Sequence, residues 1–366
     1  MDYEKILEML RNPPSLEPIV ILPDFFVDHF LITGKLDDFI ENLRHLANQG
    51  GGNLLGTHQF IRRGGNSANT ASALYSLGLT PKLIVTTDEY GKRLLESLTS
   101  DRLDLKNVHT DGSLSSTVSI EVEHEGRRVN LMVSDSGSAA SFGFNNLNES
   151  DLNEISSAGL VALFNLNHNT HAVELTKDLF SYVRNSGEAI TYLDAGDPSG
   201  RPAILRPLVH NVFSEGLVDI LGMNENEAAW FAWAVSGGDD KWKASVSEPD
   251  KWMSAARYVS LETGVQINLH TPFFSAVVND DSIIATPSFS VEPRIMCGAG
   301  DAWNAGNIYG LVSKLESKDR LILANALAAL YVSMGTAEHP TRTEIISFLE
   351  NKPILSRQGK KLLKLT

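Results

Sequence analysis

Only one cysteine, Cys297, occurs among the 366 residues, so no internal disulfide can form. That pattern fits a reducing compartment, and a cytoplasmic setting is expected. Long apolar runs are also missing. The longest near the C-terminal end, Leu321 to Val332, is shorter than the about 20 residues a bilayer span requires. The segment Met1 to Pro14 mixes acids, bases and two prolines instead of setting a basic stretch before an apolar one, so no secretion signal is expected and a short helix before the first strand is. Positive charge is scarce. Lysine and arginine number 31 against 45 aspartates and glutamates, a formal net charge of −14, which argues against nucleic acid as the principal partner. Repeats at solenoid or propeller spacing and low-complexity segments are absent, and no linker divides the chain.

What is present is enough apolar material, 42% of residues, for a large buried core. Runs rich in β-branched residues recur at Ile19 to Leu22, Leu83 to Thr86, Leu160 to Phe164, Ala189 to Leu193, Val218 to Leu221 and Val265 to Asn268. Between them lie amphipathic stretches, including Asn66 to Leu77, Ala172 to Arg184 and Lys251 to Thr263, each followed by a glycine within three residues. Alternating buried strands and helices predict an α/β architecture with a largely parallel sheet covered on both faces. Thr117 to Val133 breaks the rhythm. Apolar residues alternate on either side of Glu125-Gly126, which predicts a two-stranded hairpin. With the stretch Phe25 to Ile32 it is expected to form a small antiparallel sheet standing off the body, as a lid or a dimer surface. A second hairpin, Phe274 to Val278 and Ser282 to Ala285, reads as an edge of the main sheet, and Ser236 to Asp250 as a surface loop.

The segment richest in chemistry is Gly298-Ala299-Gly300-Asp301, a glycine-rich turn running into a helical stretch. Small residues allow successive N–H groups to point at one place, and a helix N-terminus adds partial positive charge there, so the turn can cradle a phosphoryl group. Asp301 in the same turn can take a proton from an attacking hydroxyl. An ordinary helix cap is the plainer alternative.

This turn, with Trp303 and Ala305-Gly306 after it, resembles the second signature of the ribokinase-like (PfkB) carbohydrate kinase family. Other landmarks follow in the family's order over residues 19 to 350. Pro23-Asp24-Phe25-Phe26-Val27-Asp28 resembles the family's first strand and acidic pair, Gly64-Gly65-Asn66-Ser67-Ala68-Asn69 its di-glycine hinge and sugar-facing asparagine, and Asn224-Glu225-Asn226-Glu227 its Asn-x-x-Glu motif. The resemblance implies a three-layer α/β/α sandwich with a β-sheet lid. It implies a helical extension over 1–18 and a single kinase domain over 19–366, with lid strands from about 25–62 and 113–135. By the same resemblance Asp28, Gly65 and Asn69 hold the acceptor, while Asp301 with Gly298, Ala299 and Gly300 forms the base and anion hole. Asn224, His270 and Asn325 are expected at the nucleotide and Glu227 at Mg²⁺ through water. The loop Gly335 to Pro340 is expected beside the adenine. The implied reaction moves a phosphoryl group from ATP to a hydroxyl of a sugar, sugar phosphate or nucleoside, with homodimerisation through the lid.

The sequence departs from the family pattern near the nucleotide. Ile295, Met296 and Cys297 stand where relatives have Asp-Thr-x, and none is a hard oxygen ligand, which argues against a monovalent-cation site. Asn268-Leu269-His270-Thr271 replaces a glycine-containing motif and leaves ADP open as the donor, and also a binding or regulatory relative of low activity. His270 has the alternative of being a satisfied buried histidine, and Asn224 with Glu227 also fits a capping box. Arg62, Arg63, Arg127 and Arg128 near the predicted lid would bind an acceptor phosphate if inward-facing, or else are solvated turn residues. Cys297 is expected to be buried and inert.

Overall fold

The computed structural model describes residues 3–99 and 103–364, so the outermost residues of the predicted segments 1–18 and 19–366 lie outside it, as does the side chain of Arg127. Fourteen strands run through the described residues: β1 (Ile19–Leu22), β2 (Phe26–Lys35), β3 (His58–Gly64), β4 (Lys82–Leu83), β5 (Val85–Thr86), β6 (Val108–His109), β7 (Ser115–His124), β8 (Arg127–Asp135), β9 (Leu160–Phe164), β10 (Ile190–Asp194), β11 (Ile220–Met223), β12 (Gln266–His270), β13 (Phe274–Val278) and β14 (Ile283–Pro287). Eight form the main sheet, in the order β14-β13-β12-β11-β10-β9-β1-β4. It is parallel from β12 to β4, and the β13–β14 hairpin closes one edge antiparallel, as its sequence predicts.

Both faces of the sheet are covered because its strands are apolar on both sides. Along β9, Val161 and Leu163 point into a core shared with the helices Ala172–Ser186, Glu225–Val235 and Trp252–Thr263. The alternate residues Leu160, Ala162 and Phe164 enter a second core with Asn66–Ser76, Ala299–Val312 and Ser317–Met334. The N-terminal helix Glu4–Arg11 belongs to this second core, with Ile6 and Leu10 fully buried.

Two expectations need correction. Leu83 to Thr86 is not one strand: Leu83 ends β4 in the main sheet, and Val85-Thr86 turns away to pair with Val108-His109. The stand-off sheet, of order β3-β2-β7-β8, is mixed, because β2 and β7 pair in parallel while the two outer pairings are antiparallel. A parallel pairing requires a long crossover, and the chain between β2 and β7 supplies it. The segment after Ser236 also carries short helices, Lys241–Ala244 and Ser245–Ser247.

Candidate active site

Ligand sites in open parallel sheets form beyond the carboxyl ends of the strands. Here those ends deliver Asp24 after β1, Asn165 after β9, Asp194 at the end of β10, Asn224 after β11 and His270 at the end of β12, while Asp28 comes from β2 of the stand-off sheet. Across them lies the N-terminus of Ala299–Val312, capped by Gly298 in the left-handed region (φ +83°). A Cβ at Gly298 would collide with the Tyr331 hydroxyl, which donates to the Cys297 carbonyl at 2.9 Å and so fixes the turn from behind. The Ala299 N–H is given to the Met296 carbonyl at 3.2 Å, whereas those of Gly298, Gly300 and Asp301 have no partner among the described residues. Free N–H groups at a helix start form an anion seat.

Asp301 lies in the first turn of that helix and is buried. Asn69 donates to its Oδ2 at 2.9 Å, so the residue expected to face the acceptor also fixes the expected base. Burial holds the Asp301 carboxyl well above the ordinary range; the Asn69 bond opposes this, and Asp194, Asp24 and Asp28 add to it. Asp28 is buried and accepts no hydrogen bond from a described residue, and burial followed by Asp24 pushes its carboxyl up to about 7. Asp24 plays a different part. It accepts from the N–H groups of Asn66 (3.1 Å) and Ser67 (2.9 Å) and from Asn165 Nδ2 (2.7 Å), which ties the di-glycine turn to the sheet. Gly65 at that turn has φ +84°, a conformation natural to glycine.

Two cavities meet at the 298–301 turn. One, of about 540 Å³, contains Asp28, Gly65, Asn69, Glu227 and Asp301. The other, of about 400 Å³, is a mostly apolar slot between Phe289, Val291, Ala328 and Val332, reached by Asn224, His270 and Asn325. Asn224, His270, Met296, Ala299 and Gly300 border both. The residues expected at the acceptor, the base and anion hole, the nucleotide and Mg²⁺ therefore all line one cavity or the other. The loop Gly335 to Pro340 does not line the slot. Thr336 and Glu338 instead receive Arg62, whose Nε donates to the Thr336 carbonyl at 3.0 Å and lies 3.3 Å from Glu338.

Asn224 and Glu227 do form the capping box that their spacing allows: the Asn224 side chain accepts from the N–H groups of Asn226 and Glu227, and Glu227 accepts from the Asn224 N–H at 2.8 Å. The same residues border the cavities, so cap and site coincide. Asp194, Glu227 and His270 bring potential ligand atoms within 4.8 Å of one another. Burial and then Asp194 drive the Glu227 carboxyl well up. Paired buried carboxylates of this kind suit a hard divalent cation, which offsets their repulsion. His270 stacks on Trp303, with ring centroids 4.8 Å apart, and its Nε2 has no hydrogen-bond partner.

Asp194 escaped the sequence reading although its place at the end of a parallel strand is a usable signal. Arg63, expected either to bind an acceptor phosphate or to be solvated, does neither. Far from being a solvated turn residue, it is buried, its guanidinium 3.7 Å from Glu338 and outside both cavities. Arg128 is exposed. Cys297 is half-buried at the acceptor cavity, and burial followed by Asp28, Asp301 and Glu121 drives its thiol pKa well up, which suppresses its reactivity.

The model of the pfkB family of carbohydrate kinases matches residues 32–344. Comparison with curated protein sequences finds no match. Among solved structures, the ribokinase of Arabidopsis thaliana complexed with ribose and ATP is 18% identical, with 92% of this chain and 99% of that chain covered at a TM-score of 0.66. The ribokinase of Thermotoga maritima is 19% identical, covering 92% and 100% at 0.68, and the adenosine kinase of Sinorhizobium meliloti 15%, covering 92% and 99% at 0.65. These likenesses show a ribokinase-like fold, and the family match over most of the sequence shows that the chain belongs to the pfkB family of carbohydrate kinases.

Proposed function

We propose that this chain is a phosphotransferase that moves the terminal phosphoryl group of ATP to a hydroxyl of a sugar, sugar phosphate or nucleoside. The observation that carries the reading is the meeting of two cavities at one anion seat, with the buried Asp301 carboxylate on the acceptor side. ATP binds with its base in the apolar slot near Asn325 and its phosphates toward Asn224, His270 and the 298–301 turn. The acceptor lies against Asp28, Asn69 and the backbone of Gly65, under the mixed sheet. Asp301 accepts the hydroxyl proton as that oxygen attacks phosphorus. Its raised proton affinity favours this transfer, since a base works best with a pKa near the operating pH. The N–H groups of Gly298, Gly300 and Asp301 meet the charge on the transferring oxygens in a site shielded from water.

Asp194 and Glu227 are the residues that would hold Mg²⁺, which when bound neutralises nucleotide phosphate charge. Two further proposals accompany this reading: a cytoplasmic enzyme, consistent with the lone thiol, and a homodimer through the exposed apolar row Ile61, Val118 and Val133 of the stand-off sheet. No helix of the described residues is long and apolar enough to cross a membrane.

The reading is tested by acceptor-dependent phosphoryl transfer from ATP and, in parallel, from ADP, across sugars, sugar phosphates and nucleosides. Turnover with ATP supports it as stated, turnover with ADP alone reassigns the donor, and binding without transfer from either donor overturns the kinase.

A further inference from the structure

The acceptor cavity is bordered by five carboxylates, those of Asp28, Asp194, Asp197, Glu227 and Asp301, and by no lysine or arginine among the described residues. The basic side chains around it are committed elsewhere. Arg201 donates to the carbonyls of Asn167 and Asn169 at 3.2 and 2.6 Å. Arg63 is buried beside Glu338, and Arg62, which shares the inner row of the lid sheet with Asp28, is held by Thr336 and Glu338. Burial lowers the pKa of His168, which packs against Phe26 and hydrogen-bonds with Ser136.

The hydrogen-bonding inventory points the same way. Asn69 and Asn165 each give an amide N–H to a carboxylate, Asp301 and Asp24 respectively. The Asp28 carboxylate accepts no bond from a described residue, and Asn167 Oδ1, a buried acceptor at the same cavity, has no partner. Groups left in this state ask for donors. Sugar and ribose hydroxyls are donors, while a phosphate dianion brings acceptors and like charge into a carboxylate-lined space. The anion seat at the 298–301 turn is taken by the phosphoryl group being transferred.

We infer that the acceptor is an uncharged polyol, an unphosphorylated sugar or nucleoside, and that a phosphate already on the acceptor is rejected by the Asp28–Asn167 end of the cavity. This rests on the kinase reading above for its role in turnover, but not for its prediction of binding. Nucleotide phosphates do not conflict with it, because they approach from the other cavity and reach, at the junction of the two, Asp194 and Glu227 of the acceptor cavity, which can share a cation with them.

The test uses matched pairs: ribose and ribose 5-phosphate, fructose and fructose 6-phosphate, adenosine and AMP. Binding is followed by calorimetry without donor, and turnover with ATP and with ADP. At least one neutral member is expected to bind, with kcat/KM at least about 100-fold above that of its phosphorylated partner. Asp28→Asn is expected to weaken that binding at least about tenfold, and its unfolding midpoint reports whether the variant is folded. Tighter binding or faster turnover of the phosphorylated member, lost in Arg62→Gln, overturns the inference, as does binding of neither member in every pair. A neutral member that binds without being phosphorylated supports the inference and contradicts the kinase.

Discussion

Asp28 illustrates the cost of burying a carboxylate. With its pKa raised to about 7 in the folded chain, the native state holds a proton that the unfolded chain releases above its ordinary value near 4. Stability from this group is therefore lost as pH climbs from about 4 to about 7, and the full cost is present above that. Asp28→Asn is expected to raise unfolding free energy at pH 8 by at most about 4 kcal/mol while changing little at pH 4. Denaturant titrations at the two pH values check this, and a uniform effect at both contradicts it. Single residues such as Asp28, Asn69 and Asp301 were legible in the sequence because each sits in a motif whose neighbours restrict its environment. Asp194 and Arg63 were not, because their roles arise from partners more than a hundred residues away, Asn304 donating to Asp194 at 2.7 Å and Glu338 facing Arg63.

Elements carry the precision of the site. The turn before Ala299–Val312 depends on a left-handed Gly298 lying against Tyr331, so Gly298→Ala combines an unfavourable φ with a close contact. A loss of about 1–3 kcal/mol in stability is expected, with at least about a tenfold fall in kcat as the anion seat shifts. Equilibrium unfolding and steady-state kinetics report the two effects separately, and unchanged kcat would show that the turn tolerates displacement.

Arg63 connects elements in a different way. It lies on β3 next to the Gly64-Gly65 turn and faces Glu338, whose neighbour His339 stacks on Tyr331 with centroids 5.0 Å apart. A buried guanidinium with one long ion pair contributes little net stability. Arg63→Met is therefore expected to leave the unfolding midpoint nearly unchanged while lowering kcat about tenfold or more, and Arg63→Lys to restore part of it. A collapsed midpoint with normal kcat in the surviving protein would assign Arg63 to folding alone. At this scale the sequence was a good guide to parallel strands, whose burial on both faces leaves unbroken apolar runs. It misread the β2–β7 pairing because strand direction depends on the intervening crossover, and the break at Ile84 because an apolar run does not mark where a chain leaves one sheet for another.

For the whole molecule, the arrangement places two cavities on either side of one helix start, at the carboxyl edge of a parallel sheet. The sequence indicated this architecture through its strand–helix alternation and its ordered motifs. It could not indicate the meeting of the cavities, which depends on how Ala299–Val312 packs across strand ends gathered from distant parts of the chain. Concentrated buried acids at this meeting point, Asp28, Glu227 and Asp301, all have raised proton affinity and so cost stability once ionised. Asp301→Asn is accordingly expected to keep the fold and to gain stability as pH rises above the ordinary carboxylate range.

That substitution also gives the most direct test of the central claim. The measurement is acceptor-dependent ATP turnover by the wild-type protein and by Asp301→Asn, with nucleotide affinity determined in parallel. The account predicts a fall in kcat of about 10²- to 10⁴-fold with ATP affinity retained. Turnover preserved in the variant would contradict the assignment of Asp301 as the base.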